Sequence, residues 1–346
     1  KGKVPHQEYV QHLLNDLDAD LTHVGSREVQ TIFIGGGTPS LLSAESMADL
    51  LYGVKERIAV APDAEITMEA NPGTVEAERF AGFQRAGINR ISIGVQSFGN
   101  DKLIRLGRIH DADEAKNAAR LAKELGLRSF NLDLMHGLPD QSLSQALSDL
   151  QQAIALSPPH LSWYQLTIEP NTQFGSRPPK LPDDDMLWDI FSEGDKLLTA
   201  AGYQQYETSA YCKPGFQCQH NLNYWRFGDY LGIGCGAHGK ISFADGRIMR
   251  TVKTKHPKGF MAGRYLHQQN WVDNDDRPFE FFMNRFRLLE AFPRQDFSDY
   301  TGLAQETIRR QIDEALALGY ISETETHWQI TPHGKLFLNS LLELFL

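Results

Sequence analysis

The sequence predicts an α/β protein: a partial parallel β/α barrel followed by an α+β domain. Three observations predict this fold class. The first half of the chain repeats a short β-branched run, a turn with Gly or Pro, and a longer helical stretch. The length of 346 residues exceeds that of one small domain. Glycines and polar residues follow nearly every predicted strand, where parallel barrels carry their functional groups.

Five strands are predicted, and helical patterns lie between them. The strands are 31–34, 65–69, 90–95, 129–135 and 160–167, and the helices lie near 6–21, 43–58, 75–86, 111–125 and 142–156. Because strands and helices alternate, consecutive strands should run parallel with right-handed crossovers. A six-unit barrel would begin with a strand, and this chain begins with a helix. We therefore expect the first strand and its loop to be missing upstream of Lys1.

The pattern changes after residue 176, where RPPKLPDDD forms a Pro- and Asp-rich connector. We expect three regions: a barrel over 1–176, a connector and a Tyr- and Gly-rich region over 177–278, and a C-terminal domain over 279–346. In the last region a helix, a short helix, a helix over 303–318, a brief hairpin over 320–331 and a terminal helix follow one another in a winged-helix-like order.

Charge and composition exclude several classes of protein. The 34 basic and 44 acidic residues give a net charge of −10, without a basic block, which argues against binding nucleic acid through its phosphates. The arginines of the winged-helix-like region are likewise matched by acidic residues. The three cysteines are too few for a disulfide framework, and the chain shows no secretion signal or membrane span. We expect a cytoplasmic protein with a small or buried ligand.

Four consecutive strand ends carry groups of the kind that bind ligands. They are Gly36, Gly37 and Thr38 after the first predicted strand, Glu69 at the second, Gln96 and the nearby Arg108 at the third, and Asp133 at the fourth. Glycines let a backbone approach a ligand, and carboxylate, amide and guanidinium groups hydrogen-bond to it. Each residue alone could be a helix cap, a salt-bridge partner or a packed polar group. The whole set is harder to explain by structure alone.

These motifs together resemble a known family. GGGTP (35–39), Glu69, GVQSF (94–98) with GRIH (107–110), and NLDLMHGLPDQ (131–141) are similar to the S-adenosylmethionine (SAM) binding set of the radical-SAM coproporphyrinogen dehydrogenase (HemN-like) superfamily. Three further segments resemble the HemW-type heme chaperones within it: YQLTIEPNT (164–172), HNLNYW (220–225) and GIGCGAHG (232–239).

The resemblance implies roles for individual residues. Gly36, Gly37 and Thr38 would lie along the methionine and adenosine parts of SAM. Glu69, Gln96, Arg108 and Asp133 would hold its amino end or its ribose. Thr167 would touch the adenosine.

The sequence departs from the family at the iron–sulfur cluster. Radical-SAM proteins hold a [4Fe–4S] cluster with a CxxxCxxC loop after the first strand. Cys212, Cys218 and Cys235 do not match this spacing, so we expect no metal site in this chain and cluster cysteines upstream of Lys1. Loss of one N-terminal segment would explain both the missing loop and the missing strand, and a naturally cluster-free homologue is the alternative. A zinc site from Cys212, Cys218 and His220 would lack the usual spacing and a fourth ligand.

The HNLNYW segment suggests a heme site. His220 could ligate heme iron, and Tyr224 and Trp225 could cover the porphyrin. On a helix, both aromatic residues would lie on or near the face of His220. Alternatively, His220 caps a turn and the aromatic residues fill a domain interface. Cys218, Cys235 and His238 are other candidates for the iron ligand.

The family resemblance implies a heme chaperone that delivers heme to respiratory proteins, including ones at the membrane, on a barrel that binds SAM and a [4Fe–4S] cluster. The rival function is that of an oxygen-independent coproporphyrinogen III dehydrogenase. In such an enzyme a 5′-deoxyadenosyl radical abstracts a hydrogen from a propionate side chain of the substrate.

Overall fold

The computed structural model describes residues 5–346 and divides the chain into two compact units. One unit comprises the chain up to Gln30, Asp49–Pro62 and Gln219–Leu346. The other comprises Thr31–Ala48 and Asp63–Cys218. It contains every residue that the sequence assigned to the SAM site, whereas His220 lies in the first unit.

A seven-stranded sheet forms the framework of the SAM-type site. In chain order its strands are β1 (Glu28–Ile34), β2 (Ala59–Ala70), β3 (Arg90–Gln96), β4 (Ser129–His136), β5 (His160–Gln165), β6 (Gln204–Glu207) and β7 (Ala210–Cys212). Their order in the sheet is β1-β2-β3-β4-β5-β7-β6. Strands β2 to β5 pair in parallel, as predicted, and β5 pairs with β7 antiparallel. The sheet thus continues past residue 176, the expected end of the barrel.

The register of the parallel strands brings separate polar residues into one row. Glu69 on β2 pairs with Ser92 on β3, Ser92 with Asn131 on β4, and Asn131 with His160 on β5. Because alternate residues of a strand share a face, Asp133 lies on the same face as Asn131, one step nearer the carboxyl end of the strand.

Helices follow the strands; four of the five helices predicted near the barrel form as expected, and the fifth is split in two. In chain order they are α2 (Ala44–Arg57), α3 (Thr74–Ala77), α4 (Phe80–Ala86), α5 (Asn100–Arg105), α6 (Ala112–Glu124), α7 (Leu143–Ala155), α8 (Gln173–Ser176) and α9 (Asp184–Ala200). Capping boxes begin α6 at Asp111 and α7 at Ser142. The prediction of a single helix over 75–86 is wrong, because two helices, α3 and α4, form there. Arg79, in the break, donates to the backbone oxygen of Ser40 at 3.1 Å, which anchors this segment to the loop after β1.

The other unit combines the first helix with the C-terminal part of the chain. Its helices are α1 (His6–Leu21), α10 (Gln219–Trp225), α11 (Pro257–Met261), α12 (Arg277–Arg285), α13 (Gln295–Thr301), α14 (Arg309–Ala317), α15 (Pro332–Leu336) and α16 (Leu338–Glu343). Its strands are β8 (His238–Ser242), β9 (Ile248–Lys253), β10 (Leu266–Trp271), β11 (Phe292–Pro293), β12 (Ile321–Glu323) and β13 (His327–Ile330). They form two antiparallel three-stranded sheets.

The C-terminal end has the winged-helix-like order of elements that the sequence predicts. The hairpin expected near 320–331 is β12 and β13, and α14 lies inside the predicted helix over 303–318, behind a short 3₁₀ turn at Gln305–Ile308. An aromatic core including Phe282, Phe286 and Trp328 holds these elements together. Burial of such large apolar side chains is the main stabilising term for a region this small.

Candidate functional site

The glycine loop after β1 is closed against the carboxylate of Glu69. The backbone N–H of Gly36 donates to Glu69 Oε2 at 3.0 Å. Gly36 and Gly37 have φ values of +80° and +62°, which disfavour any residue with a Cβ. A Cβ on Gly35 would lie 2.8 Å from Glu69 Oε2, so this backbone approaches the carboxylate closely. Conformation therefore favours glycine at positions 36 and 37, and lack of space favours it at position 35.

A second carboxylate, which the sequence did not single out, joins the loops after β1 and β2. Glu76 Oε2 accepts from Ser40 Oγ at 2.6 Å and from the backbone N–H of Asn71 at 3.0 Å. Thr38 precedes Ser40, and its side chain makes no capping hydrogen bond to the 3₁₀ turn that follows. Glu76 thus orders the loop that carries the glycines and Thr38.

Asp133 belongs to a network of neutral polar groups. The side-chain nitrogen of Asn131 donates to Asp133 Oδ1 and to Ser92 Oγ, both at 2.9 Å, and Ser92 Oγ lies 3.4 Å from Asp133 Oδ2. Burial raises the pKa of Asp133 above its ordinary value; hydrogen bonds from Asn131 and Ser162 oppose this effect. We call Ser92, Asn131, Asp133 and Ser162 the Asp133 network. Sequence analysis identified only Asp133 among them.

Gln96 ends β3 in a strained conformation. Its φ is +72°, in the left-handed region that residues with a Cβ rarely adopt. Its Oε1 accepts from the hydroxyl of Tyr164 at 3.2 Å, and burial raises the pKa of Tyr164 to about 12. The Tyr164 hydroxyl is therefore a neutral donor at physiological pH. Tyr164 is a member of the site that only the structure reveals.

Arg108 and Thr167 lie in exposed loops. Arg108 follows Gly107, and its positive charge lowers the pKa of Tyr164 against the larger effect of burial. Thr167 lies two residues beyond β5, and its hydroxyl donates to Glu169 Oε1 at 3.2 Å. Arg108 thus acts electrostatically on the same group that contacts Gln96, whereas Thr167 has a local partner.

Together these residues can bind a polar ligand with amino, hydroxyl and carboxylate groups. The rim supplies carboxylates at Glu69 and Asp133, an amide at Gln96 and a guanidinium at Arg108. This donor and acceptor set fits the methionine and ribose parts of SAM.

The cysteines do not form a cluster site. Cys212 is buried in β7, where burial raises its thiol pKa to about 11. Cys218 is buried too, and its thiol donates to Glu65 Oε1 at 3.5 Å. Within residues 5–346, no group of three or more His, Cys, Asp or Glu side chains could hold a metal ion. These residues therefore do not fit a [4Fe–4S] cluster, and they do not support the zinc alternative either.

The HNLNYW segment forms most of helix α10. His220 and Tyr224 lie one helical turn apart, and both are half-buried. The Tyr224 ring lies 5.0 Å from Trp225, edge to face, and 4.9 Å from Tyr230. Asn223 Nδ2 donates to the backbone oxygen of Asp229 at 3.0 Å, so this asparagine fixes the turn after α10.

Positive charge lies beside the aromatic residues of α10. The Arg287 guanidinium lies 4.4 Å from the centre of the Trp225 ring, within the range of a cation–π contact. Arg226 donates twice to Glu290, both times at 2.8 Å. An apolar face with a neighbouring imidazole and guanidinium suits a flat anionic ligand.

The fold and the rim residues define a protein of the radical-SAM class. Residues 7–150 match the Radical SAM superfamily, and residues 272–337 match the HemN C-terminal domain. The predicted α/β fold class is thereby confirmed. Among residues 5–346, no helix combines the length and apolar character that a membrane crossing needs.

Within that class the chain belongs to the HemW family. It is 74% identical to heme chaperone HemW of Escherichia coli (strain K12), over all of this chain and 92% of that protein. It is 66% identical to heme chaperone HemW of Haemophilus influenzae, over all of this chain and 91% of that protein, and 32% identical to that of Mycobacterium tuberculosis, over all of this chain and 88% of that protein.

The structural comparison agrees on the fold. Coproporphyrinogen III oxidase (HemN) of Escherichia coli, a radical-SAM enzyme, matches with a TM-score of 0.81. The match covers 98% of this chain and 83% of that one at 22% identity. At this identity the likeness concerns the fold alone.

Proposed function

We propose that this protein binds heme and delivers it to heme-dependent proteins, and that its barrel binds SAM. The observation that carries the proposal is the full-length likeness, at 74% identity, to a protein named as a heme chaperone. The rim of the sheet and helix α10 supply two separate sets of residues for these two ligands.

For heme, the proposed iron ligand is His220. A neutral imidazole is a common axial ligand of heme iron. On α10 it lies one turn before Tyr224, whose ring packs edge to face on Trp225 and so offers apolar surface to a porphyrin. The neighbouring Arg287 adds positive charge where a porphyrin carries anionic propionates.

For SAM, the proposed residues are Gly36, Gly37, Thr38, Glu69, Gln96, Arg108, Asp133 and Thr167. In radical-SAM proteins a bound SAM supplies radical chemistry together with a cluster. The residues of this chain bind and orient the cofactor. A [4Fe–4S] cluster is proposed on the family likeness alone, because the cysteines of residues 5–346 do not group to hold one.

The proposed partners are heme and heme-accepting respiratory proteins, including ones at the membrane. Nucleic acid is not a proposed partner, because acidic residues outnumber basic ones by 44 to 34. We propose that the protein works in the cytoplasm, where its three free cysteines would stay reduced.

Titration with heme tests the proposed iron ligand. We expect His220→Ala to remove or shift the Soret band of bound heme while the far-ultraviolet circular dichroism stays unchanged. His267→Ala is the matched control, because His267 is an exposed histidine on β10 of the same unit. An unchanged Soret band in folded His220→Ala protein would contradict the assignment and turn attention to Cys218, Cys235 or His238.

The enzyme alternative, an oxygen-independent coproporphyrinogen III dehydrogenase, has a direct assay. If the protein were this enzyme, it would convert coproporphyrinogen III to protoporphyrinogen under anaerobic reducing conditions. A heme chaperone leaves the substrate unchanged in the same assay and binds heme stoichiometrically.

A further inference from the structure

A buried carboxylate outside the proposed SAM site holds the strained end of strand β3. Asp149 lies on α7 and is 5% exposed. Its Oδ2 accepts from Ser97 Oγ at 2.7 Å, and its Oδ1 accepts from the backbone N–H of Phe98 at 2.9 Å. Both acceptor atoms of one carboxylate are thus committed to the two residues that follow Gln96.

These bonds act where the backbone is least favourable. Gln96 has a φ of +72°, and a conformation of this kind persists only when its surroundings fix it. Ser97 is fully buried and also accepts from the backbone N–H of Gly99 at 3.0 Å. Asp149 and Ser97 therefore fix the three residues after Gln96 in one arrangement.

We propose that Asp149 is a positioning residue for the SAM site, because it holds Gln96 in the conformation that brings its side chain to Tyr164. This inference rests on the proposed SAM-binding function. Asp149 itself contacts none of the residues assigned to SAM, so its effect on the cofactor passes through the Ser97–Phe98 backbone.

The surroundings of Asp149 make its hydrogen bonds with Ser97 and Phe98 sensitive to pH. The charged groups that face it are Asp101 and Lys102 on α5; the other residues lining the adjacent cleft of about 350 Å³ are uncharged. Burial raises the pKa of Asp149 to about 6. At pH 7.5 the carboxylate is ionised and accepts both hydrogen bonds at full strength, and below pH 6 its protonation weakens them.

A buried ionised carboxylate lowers the stability of the fold in the same pH range. Because the folded-state pKa lies above the unfolded value, the folded state holds this proton more tightly, and stability falls as the pH rises toward 6. A residue kept only for stability would not have this property. We therefore expect Asp149→Asn to melt at an equal or higher temperature than the unchanged protein at pH 7.5.

SAM affinity, measured by calorimetry on the full chain, tests the proposal. At pH 7.5 we expect Asp149→Asn to raise the Kd for SAM about tenfold, because an asparagine offers one acceptor oxygen to the two donors, the Ser97 hydroxyl and the Phe98 N–H. At pH 5.0 the ratio of the two Kd values should fall toward one, because the unchanged protein is then protonated at Asp149. The matched control is Asp195→Asn on α9, which removes a carboxylate that accepts from Tyr211 at 2.7 Å and should leave the ratio near one.

The proposal would be overturned if the Kd values of Asp149→Asn and the unchanged protein were nearly equal at pH 7.5. It would also be overturned if their ratio were the same at both pH values. A second measurement needs no SAM: the exchange rate of the Phe98 amide hydrogen in Asp149→Ala. We expect this rate to rise about tenfold or more, whereas the Ala112 amide, which donates to Asn100 Oδ1 at 2.9 Å, should exchange as before. If the unchanged protein binds no SAM, the proposed SAM site fails. An unchanged exchange rate of the Phe98 amide in Asp149→Ala would show that Asp149 does not fix this backbone.

Discussion

Two clusters of polar side chains in this molecule differ in how the charge of their carboxylates is balanced. In the first unit, Lys253 contacts Asp16 and also Asp20 at 2.9 Å, and the side chains of Lys253 and Asp16 are only 1% exposed. Asp16 also accepts from the backbone N–H of Gly234 at 3.0 Å. We call this group the Lys253 cluster. In it one buried lysine is shared by two carboxylates.

The Asp133 network has no cation in a salt bridge with its carboxylate. Within residues 5–346, no Lys, Arg or His side chain forms a salt bridge with Asp133, whose hydrogen-bond partners are the neutral Asn131, Ser92 and Ser162. The positive charge of Arg90 lowers the pKa of Asp133 against the larger effect of burial. The nearby Glu69 raises its pKa further. A carboxylate left in this state favours a ligand that carries a positive charge or donates hydrogen bonds.

The difference separates a structural cluster from the proposed SAM site. The Lys253 cluster fixes α1 to the GIGCGAHG segment through Gly234 and gives its two carboxylates a shared lysine partner. The Asp133 network holds a carboxylate in position by neutral donors, without a salt bridge. The same residue type therefore has opposite roles, and substitutions should affect stability in the first case and affinity in the second.

The largest effect is expected in the Lys253 cluster. Lys253→Met leaves Asp16 and Asp20 buried without their cation, which should lower the free energy of unfolding by about 3–5 kcal/mol. Urea denaturation measures this change. Lys196→Met, which removes an exposed lysine paired with Glu193, should leave the free energy of unfolding nearly unchanged. A loss below about 1 kcal/mol for Lys253→Met would remove the structural half of the comparison.

The next largest effect is a loss of affinity at Asp133. Asp133→Asn should weaken SAM binding by about 10- to 100-fold, because a charged acceptor for the cofactor becomes neutral. The melting temperature of the variant at neutral pH should stay the same or rise. Burial raises the folded-state pKa of Asp133, so ionised Asp133 lowers stability once the pH exceeds its pKa in the unfolded state. Calorimetry and thermal unfolding test both statements. A melting temperature that falls together with the affinity would show that Asp133 is structural.

The strands could be predicted from the sequence because their signal is local. Strand β3 was expected at 90–95 and forms at Arg90–Gln96. Strand β2 was expected at 65–69 but begins at Ala59, since Pro62 and Asp63 interrupt its apolar pattern while both remain exposed. Periodicity identifies the buried part of a strand and misses an exposed extension.

The individual rim residues could also be predicted, but not their supporting contacts. Asp133 and Gln96 stand at strand ends and can be found by position alone. Ser92 and Asn131 become neighbours only through the register of two strands, 39 residues apart in the chain. Asp149 lies 52 residues from Ser97 on a helix, and no local pattern connects them. Such contacts form only in the tertiary structure, and no spacing of residues along a single sequence indicates them.

A smaller effect on SAM affinity is expected at Gly35, where the backbone lies close to the Glu69 carboxylate. Gly35→Ala would place a Cβ 2.8 Å from Glu69 Oε2, so the carboxylate must move and the bond from the Gly36 N–H is weakened. We expect SAM affinity to fall about fivefold with little change in melting temperature, because Gly35 is exposed. Gly73→Ala is the control, since a Cβ there meets no atom within 4 Å. Equal affinities for the two variants would separate Glu69 from the binding site.

The smallest effect tests the neutral donors that distinguish the Asp133 network from the Lys253 cluster. The Ser162 hydroxyl donates to Asn131 Oδ1 at 3.2 Å, and Ser162 lowers the pKa of Asp133 against the effect of burial. Ser162→Ala should therefore raise that pKa further and weaken SAM binding about threefold at neutral pH.

The pH dependence of SAM affinity shows which change this last prediction expects. If ionised Asp133 binds SAM, affinity falls as the pH drops through its pKa, and in Ser162→Ala this fall should begin at a higher pH. Ser129→Ala is the matched control, because Ser129 is a buried serine on the neighbouring strand β4 whose hydroxyl has no hydrogen-bond partner within residues 5–346. Its affinity profile should coincide with that of the unchanged protein. If the two serine variants shift the profile equally, the effect comes from lost packing, and the neutral donors do not support the charge of Asp133.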